Sequence, residues 1–273
     1  MIEFRVLSIL QSLNAPSEQQ VRLPGIVRAW VKAAGRYTVL VFLLLGVVGV
    51  SRAADPELEN QLAAEVDRFV AADKVSPPAP CQVLFVGSSS IVKWDTLAHD
   101  MAPLPVINRG FGGSHIEYVN RWFDQLVAAY RPRAIVFYAG ENDLDAGKPV
   151  DGVVADFDAF MTRKVASLGS VPVYFISVKP SALRFEEFSL QTRLNDGIRV
   201  RAAQRTDLHY IDVVDAMLKN GKPKDLFAED GLHMRTEGYA IWTRAVKAAM
   251  IPNAEAEAHR CAVPELQSKR VVK

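Results

Sequence analysis

The chain has 273 residues, of which 49% are hydrophobic and 23% are charged, and its net charge is +1 at pH 7. These proportions are those of an ordinary globular protein, and the sequence contains neither a low-complexity tract nor an internal repeat. A net charge this close to zero does not indicate the excess of positive charge that is typical of nucleic-acid-binding proteins, so we expect no nucleic-acid partner.

The first 53 residues have the pattern of an N-terminal extension that ends in a secretory signal peptide. The uncharged apolar run Tyr37–Val50 follows Arg28, Lys32 and Arg36, and Ser51–Ala53 forms a small-x-small cleavage site. As a helix this run rises only about 21 Å, which is less than the roughly 30 Å of a bilayer core. We therefore predict cleavage after Ala53 and a periplasmic or secreted protein. The alternative is a membrane anchor over residues 37–50, which would be the only membrane contact.

Beyond the signal segment, a helix over Asp55–Val75 and a proline-rich break at residues 77–80 precede alternating short apolar strands and longer amphipathic helices. The predicted strands are Val83–Val86, Pro105–Asn108, Ala134–Ala139, Val171–Ser177 and Leu208–Ile211. The predicted helices are Ser114–Tyr130, Val150–Leu168, Phe185–Arg205 and Thr236–Met250. Ser114–Glu117 has a capping-box pattern, and Thr236 is expected to cap the last helix. Continuous apolar strands between helices predict a parallel sheet that is covered on both faces.

These patterns divide the chain into four segments. Residues 1–53 are the extension and signal peptide, and residues 54–80 are an N-terminal helix and proline-rich linker. Residues 81–251 form the α/β domain, and residues 252–273 form a C-terminal tail. The domain is long enough to fill a single hydrophobic core.

Four blocks with chemically useful side chains or glycines lie where predicted strands end or where the last helix starts. Because the carboxyl ends of parallel strands share one edge of the sheet, we expect these blocks to converge. Each block also has an ordinary interpretation, namely a serine helix cap, a tight glycine turn, an Asx-turn or a surface histidine. The blocks are Gly87–Ser90, Asn108–Gly113, Gly140–Asp143 and Glu229–His233.

The combination of a serine block with Asp230 and His233 predicts nucleophilic catalysis. A serine hydroxyl is a poor nucleophile unless a base takes its proton, and a histidine base works best when a carboxylate fixes its tautomer. The α/β-hydrolase elbow Gly-x-Ser-x-Gly is a poorer match, since Ile91 stands where its last glycine belongs. No phosphate loop or zinc-type Cys/His spacing occurs, so we predict neither a cofactor nor a metal.

Together, in this order and at these strand ends, the four blocks resemble the SGNH or GDSL-type hydrolase family. The resemblance implies that Ser89 is the nucleophile and that Asp230 and His233 are its acid and base. It implies an oxyanion hole made of the Ser89 and Gly113 backbone N–H groups and the Asn142 side-chain amide. It also implies a flavodoxin-like three-layer α/β/α sandwich, with a five-stranded parallel sheet in the order 2-1-3-4-5.

The resemblance covers Cys81 to about Met250 and departs from the family at one position. Ser88 stands where the family usually has aspartate in its Gly-Asp-Ser motif. The aspartate is not a triad member, so the chemistry survives the change. Ser88 and Ser90 nevertheless remain rival nucleophiles, although the spacing after the first strand favours Ser89.

The expected function is that of a serine esterase that hydrolyses short-chain acyl esters, such as acetyl esters, on a small molecule or a glycan. The sequence shows no long apolar lid segment, which favours short acyl groups. The alternatives are a lysophospholipase or thioesterase on the same fold, and a catalytically silent glycan-binding protein. Arg184 and Phe185, after the fourth strand, are candidates for the substrate side, and a solvated surface charge is the other interpretation of Arg184.

Cys81 and Cys261 are the only two cysteines. Cys81 opens the first strand at the amino edge of the sheet. The last helix starts near His233 at the carboxyl edge and runs back to the amino edge, so Cys261 can reach Cys81 there. Export would allow a disulfide bond between them. The alternative is two unpaired cysteines.

Overall fold

The computed structural model describes residues 56–253 and Glu257, so the predicted signal peptide and Cys261 lie outside the described residues. The strands are β1 (Val83–Gly87), β2 (Val106–Gly110), β3 (Ala134–Tyr138), β4 (Val173–Ile176), β5 (Leu208–Ile211), β6 (Leu218–Lys219) and β7 (Lys222–Pro223). The helices are α1 (Pro56–Val75), α2 (Ser89–Val92), α3 (Leu97–Met101), α4 (Ile116–Arg121), α5 (Phe123–Leu126), α6 (Glu141–Asp145), α7 (Val150–Leu168), α8 (Phe188–Ala203), α9 (Val214–Met217) and α10 (Thr236–Met250). Short 3₁₀ turns cover Ala128–Tyr130, Phe185–Glu187 and Ile251–Asn253.

The five main strands form one parallel sheet in the order β2-β1-β3-β4-β5, which confirms the predicted fold class. β1 lies between β2 and β3, with Val83 opposite both Val106 and Ala134. The chain therefore reverses its direction across the sheet between β2 and β3. In open parallel sheets such a reversal opens a crevice at the carboxyl ends of the strands, where ligands bind. Two short strands, β6 and β7, form a separate antiparallel hairpin.

Alternate side chains of the sheet pack into two separate hydrophobic layers. Leu84 and Val86 of β1 point into one layer, and Val83 and Phe85 point into the other. Helices α1, α4, α5, α7 and α8 cover the first layer, and helices α2, α3, α9 and α10 cover the second. Because both faces are buried, the central strands β1, β3 and β4 are apolar and buried at every position rather than at alternate positions.

Helix α1 packs on the loop that follows β2. Its Leu62 and Val66 side chains are buried in the first layer. The carboxylate of Glu65 accepts a hydrogen bond from the Gly112 backbone N–H at 2.9 Å. Asp73, in the last turn of the helix, pairs with Arg109 at 2.5 Å. The helix thus holds both ends of the Arg109–Gly112 segment.

Three local predictions were wrong. The predicted helix Ser114–Tyr130 is broken into α4, α5 and a 3₁₀ turn, and Trp122 at the first break packs edge-on against Phe111. The capping box does not form, because α4 begins at Ile116 with His115 at the N-cap position and has no side-chain cap. Its Ile116 N–H donates to the carboxylate of Asp143 instead. Similarly, Thr236 is the first residue of α10 and does not cap it. Tertiary contacts override local preference at these sites.

No helix in the described part of the chain is both long and apolar enough to span a bilayer. The structure records Cys81 as disulfide-bonded. Because Cys261 is not among the described residues, its pairing with Cys81 stays a prediction, as does the division of the chain into segments.

Candidate active site

The serine block lies where β1 ends and α2 begins. Gly87 has φ 137°, and a Cβ at this position would lie 1.8 Å from the carbonyl oxygen of Tyr138. Only glycine therefore fits, and the chain turns sharply here so that Ser89 becomes the first residue of α2. Ser88 and Ser90 are buried, with 2% and 1% exposure, while Ser89 is partly exposed. Ser89 is thus the serine in this block that a substrate can reach.

A chain of side-chain contacts joins Ser89 to His233 and Asp230. The Ser89 Oγ lies 2.8 Å from Nε2 of His233, and the Nδ1 of the same ring lies 2.5 Å from Oδ2 of Asp230. Residues 89 and 233 are 144 positions apart in sequence. With its proton on Nδ1, the imidazole can donate to the carboxylate and accept the serine proton at Nε2. This is the geometry of a serine nucleophile, a base and an orienting acid.

The Asp230 carboxylate is fixed and ionised. Burial alone would raise the pKa of Asp230, but hydrogen bonds from the His233 ring and from the Leu232 and His233 backbone N–H groups lower it to about 2. The preceding turn is closed by Gly231, whose φ is 65°. A charged carboxylate with both oxygens occupied cannot rotate away from the imidazole, so the tautomer stays fixed.

Two groups that follow strands β2 and β3 can donate hydrogen bonds to an oxyanion, in addition to the Ser89 N–H. Gly113 adopts φ 75° in the loop after β2, a conformation that L side chains rarely tolerate. Asn142 lies in α6 after β3, and its Nδ2 donates to the Ser114 carbonyl at 3.0 Å. An amide nitrogen carries two N–H groups, so one remains for a ligand. The Ser89 N–H is at the first helical position and has no acceptor within α2.

A buried polar cluster lies beside Asn142. Lys179 donates to Oε2 of Glu141 at 2.6 Å, and both side chains are almost fully buried. Ser181 and Tyr138 donate to the same carboxylate at 2.8 and 2.9 Å. Burial would raise the pKa of Glu141, but the Lys179 ammonium and these hydrogen bonds lower it. The cluster joins the end of β3 to the loop after β4.

Asp143 is a second buried acid, next to Asn142. Its two oxygens accept the Ile116 N–H at 3.2 and 3.3 Å, and burial raises its pKa to about 7. This bond ties α6 to the start of α4, two residues beyond Ser114. Both ends of the Asn142 segment are therefore held by long-range hydrogen bonds.

Arg184 lies at this site but is not a solvated surface charge. Its side chain is only 12% exposed. One terminal nitrogen donates to Oδ1 of Asn142 at 2.8 Å, and the other donates to Oδ2 of Asp145 at 2.8 Å. The neighbouring Phe185 ring stacks on Phe188 at 5.1 Å between ring centroids.

The structure places Ser89, Gly113 and Asn142 after strands β1, β2 and β3, and it brings Asp230 and His233, which precede α10, into contact with Ser89. Sequence reasoning missed the ion pair between Glu141 and Lys179 and the buried state of Asp143. The only available signal was the placement of an acid and a base immediately after neighbouring strands. Within the described part of the chain, no group of three or more His, Cys, Asp or Glu side chains is arranged to hold a metal ion.

Comparison with known folds finds the same architecture in several solved structures. A Streptococcus pneumonia protein provisionally named a platelet activating factor matches 78% of this chain and 98% of its own, at 17% identity and a TM-score of 0.63. A GDSL-like lipase from Bacteroides thetaiotaomicron matches 67% and 96%, at 21% identity and 0.57. A carbohydrate esterase family 3 protein from Talaromyces cellulolyticus matches 64% and 99%, at 16% identity and 0.54. At these identities the matches show the fold alone.

The family assignment rests on the amino-acid sequence rather than on the similarity of the fold. No curated protein matches the chain. The family model described as GDSL-like Lipase/Acylhydrolase matches residues 86–241, which is more than half of the sequence and spans the serine block, Asn142 and the Asp230–His233 loop. This enzyme class hydrolyses ester bonds with a serine nucleophile. The chain therefore belongs to the GDSL-like lipase/acylhydrolase family.

Proposed function

We propose that this esterase hydrolyses short-chain acyl esters, acetyl esters among them, through Ser89, His233 and Asp230. The observation that carries the proposal is the continuous chain of contacts from Ser89 Oγ through the imidazole to the carboxylate, at 2.8 and 2.5 Å. The family assignment supports ester hydrolysis, and this geometry supports the residues that perform it.

In the first half of the reaction, Ser89 Oγ attacks the ester carbonyl and its proton passes to Nε2 of His233. The new imidazolium is stabilised by Asp230, which remains ionised because its pKa is about 2. When the carbon–oxygen bond to the alcohol breaks, the imidazolium returns the proton to the leaving oxygen. The product of this half is an acyl ester on Ser89 and a free alcohol.

In the second half, water attacks the acyl carbonyl and gives its proton to the same imidazole. The bond between the carbonyl carbon and Ser89 Oγ breaks, the serine regains a proton, and the carboxylic acid leaves. In both halves the negative oxygen is held by the Ser89 and Gly113 N–H groups and the Asn142 amide. Losing one such donor typically costs about 2.7–4 kcal/mol of barrier.

Ser89 is proposed as the nucleophile over its two neighbours on the basis of accessibility and contact. Ser88 and Ser90 are buried, whereas Ser89 is partly exposed and contacts the His233 ring. The absence of aspartate at position 88, where the family usually has it, does not disturb this contact.

The preference for short acyl groups and for secretion is also part of the proposal. The sequence shows no long apolar lid, and one protein of similar fold is a carbohydrate esterase, which favours a small acyl group on a glycan or small molecule. The apolar run at residues 37–50 and its cleavage site support a periplasmic or secreted enzyme.

A series of p-nitrophenyl esters from acetate to palmitate tests this proposal. We expect kcat/KM to be highest for acetate or butyrate and to fall with longer chains. Ser89→Ala should abolish turnover, while Ser88→Ala and Ser90→Ala should retain it. A preference for palmitate would favour a lipase or lysophospholipase, and no turnover of any ester would favour a silent glycan-binding protein.

A further inference from the structure

The side-chain amide of Asn142 lies between an acceptor and a donor. Its Nδ2 donates to the Ser114 carbonyl at 3.0 Å, and its Oδ1 accepts from Arg184 at 2.8 Å. If the amide were turned by 180°, its oxygen would face the carbonyl oxygen and its NH₂ group would face the guanidinium. Both contacts would then be repulsive, since a guanidinium only donates and a carbonyl only accepts. Only one orientation satisfies both neighbours.

Arg184 is itself held in place by hydrogen bonds, so its position can determine the orientation of the Asn142 amide. Its second terminal nitrogen donates to Oδ2 of Asp145 at 2.8 Å, and its backbone carbonyl accepts from Gln191 at 3.3 Å. Its neighbour Leu183 donates its N–H to the carbonyl of Gly231 at 2.9 Å. The loop that carries Arg184 is therefore bonded both to α6 and to the turn before His233.

The orientation of the Asn142 amide decides whether it can stabilise an oxyanion. With Nδ2 towards Ser114, the second N–H of the amide is available as a donor to an oxyanion. In the flipped state the amide would offer a lone pair to a negatively charged oxygen. A donor placed before the reaction begins costs no reorganisation when charge develops. The residue that sets the orientation therefore contributes to the transition state without touching it.

We propose that Arg184 is a positioning residue that fixes the Asn142 amide with its nitrogen towards the oxyanion hole. This inference rests on the proposed esterase function. It differs from the sequence-based expectation that Arg184 lines the substrate side, because a substrate-binding arginine would act mainly on KM. A positioning arginine acts on kcat, and only while Asn142 is present.

A double-mutant cycle tests the proposal on the full chain, with p-nitrophenyl acetate as substrate. The variants are Arg184→Ala, Asn142→Ala and the double variant, and each is measured for kcat and KM. Arg184→Met, which keeps most of the side-chain length without a donor, serves as a second variant if Arg184→Ala does not fold. Arg201→Met is the matched control, since Arg201 forms a two-bond ion pair with Asp158 between α8 and α7.

Asn142→Ala should lower kcat by about 100-fold to 1,000-fold, as expected for one oxyanion donor. Arg184→Ala should lower kcat by about tenfold or more with little change in KM, whereas the Arg201→Met control should retain wild-type kcat. In the Asn142→Ala background, removing Arg184 should change kcat by less than about twofold, because coupled residues do not add.

Losses in kcat that multiply in the double variant would overturn the proposal, as would a raised KM with unchanged kcat. The first result would show that the arginine charge acts on the oxyanion directly, and the second that it binds substrate. Either result leaves the esterase function in place. A wild-type protein without turnover would overturn the proposed function and this inference together.

Discussion

The buried ion pair beside Asn142 allows a quantitative test of how the site is supported. Lys179 is fully buried and is the cation that neutralises Glu141, which is 3% exposed. Replacing Lys179 with methionine keeps an unbranched side chain but removes the ammonium. Ser181 and Tyr138 still donate to the carboxylate, so the change removes the Lys179 charge and its hydrogen bond and leaves these two donors in place.

The magnitude follows from leaving one charge buried without its partner. Breaking a buried ion pair in this way costs about 3–5 kcal/mol of stability, because the remaining charge is neither solvated nor neutralised. Lys179→Met should therefore destabilise the protein by that amount at pH 7. The double variant Lys179→Met/Glu141→Gln removes both charges and should recover most of the loss. Lys222→Met, at an exposed position in the β6–β7 hairpin, is the control and should change stability little.

The loss of stability in Lys179→Met should also depend on pH. In the wild type, burial would raise the pKa of Glu141 but Lys179 keeps it below the ordinary value of 4.5, so the pair stabilises the fold above that pH. In Lys179→Met the effect of burial on the pKa is opposed only by the Arg184 charge and the remaining hydrogen bonds, and the carboxyl takes up a proton more readily. The difference in stability between variant and wild type should thus be largest at neutral pH and shrink as the pH falls towards 4.5.

Urea unfolding followed by far-UV circular dichroism and tryptophan fluorescence measures these free energies at pH 7 and pH 5. The reasoning is refuted if Lys179→Met costs less than about 1 kcal/mol at pH 7, which is the range of an exposed pair. It is equally refuted if the double variant is less stable than the single variant, because that would show that the carboxylate does not need its partner.

Three further outcomes follow from the site. Burial raises the pKa of Asp143 from 3.8 to about 7, so the folded state holds this proton more tightly and the free energy of unfolding should fall as pH rises between those values. In urea unfolding at pH 5 and pH 8, Asp143→Asn should show a smaller difference in this free energy than the wild type. Glu65→Ala removes the acceptor of the Gly112 N–H; it should lower the free energy of unfolding by about 1 kcal/mol and lower kcat more than it raises KM. Glu65→Gln keeps an acceptor oxygen and should retain most activity. Equal kcat in both variants would argue against this role. Asp230→Asn should lower kcat by about 10⁴-fold with an unchanged circular dichroism spectrum, and full activity would remove Asp230 from the triad.

Much of the sheet could be predicted because its signal is local. Each strand is a short apolar run between helices, and the predicted strand bounds differ from the observed ones by no more than two residues. Helices Val150–Leu168 and Thr236–Met250 have the predicted bounds, since one face of each is apolar along its whole length. The sheet order, in contrast, came from the family resemblance and not from periodicity.

The wrong predictions arose where a distant residue determines the local structure. Ser114 has a capping-box sequence, but α4 begins one residue later than that pattern requires, with His115 at the N-cap position, and its Ile116 N–H donates to the carboxylate of Asp143, 27 residues away. The short helix α2 after Gly87 was not predicted, because its four residues are too few for a periodic pattern. For the capping box, the local sequence contains no information about the contact with Asp143.

The same limit applies to the site. Positions after strands, or before the last helix, were enough to predict that the serine block, Asn142 and His233 lie at one edge of the sheet. Charged residues are almost never fully buried unless they are paired, so the sequence favoured exposed positions for Glu141 and Lys179. Their pairing could not be read from the local sequence, because the two residues are 38 positions apart. The contact of Arg184 with Asn142 depends likewise on the path of the loop after β4.

The most direct test of the central claim is to identify the residue that a fluorophosphonate modifies. Such a probe reacts with a serine only when a base activates it. Peptide mapping by mass spectrometry should find one adduct per chain, on Ser89, and none in Ser89→Ala. An adduct on Ser88 or Ser90, or an unlabelled but folded wild-type protein, would contradict the assignment of Ser89 as the nucleophile.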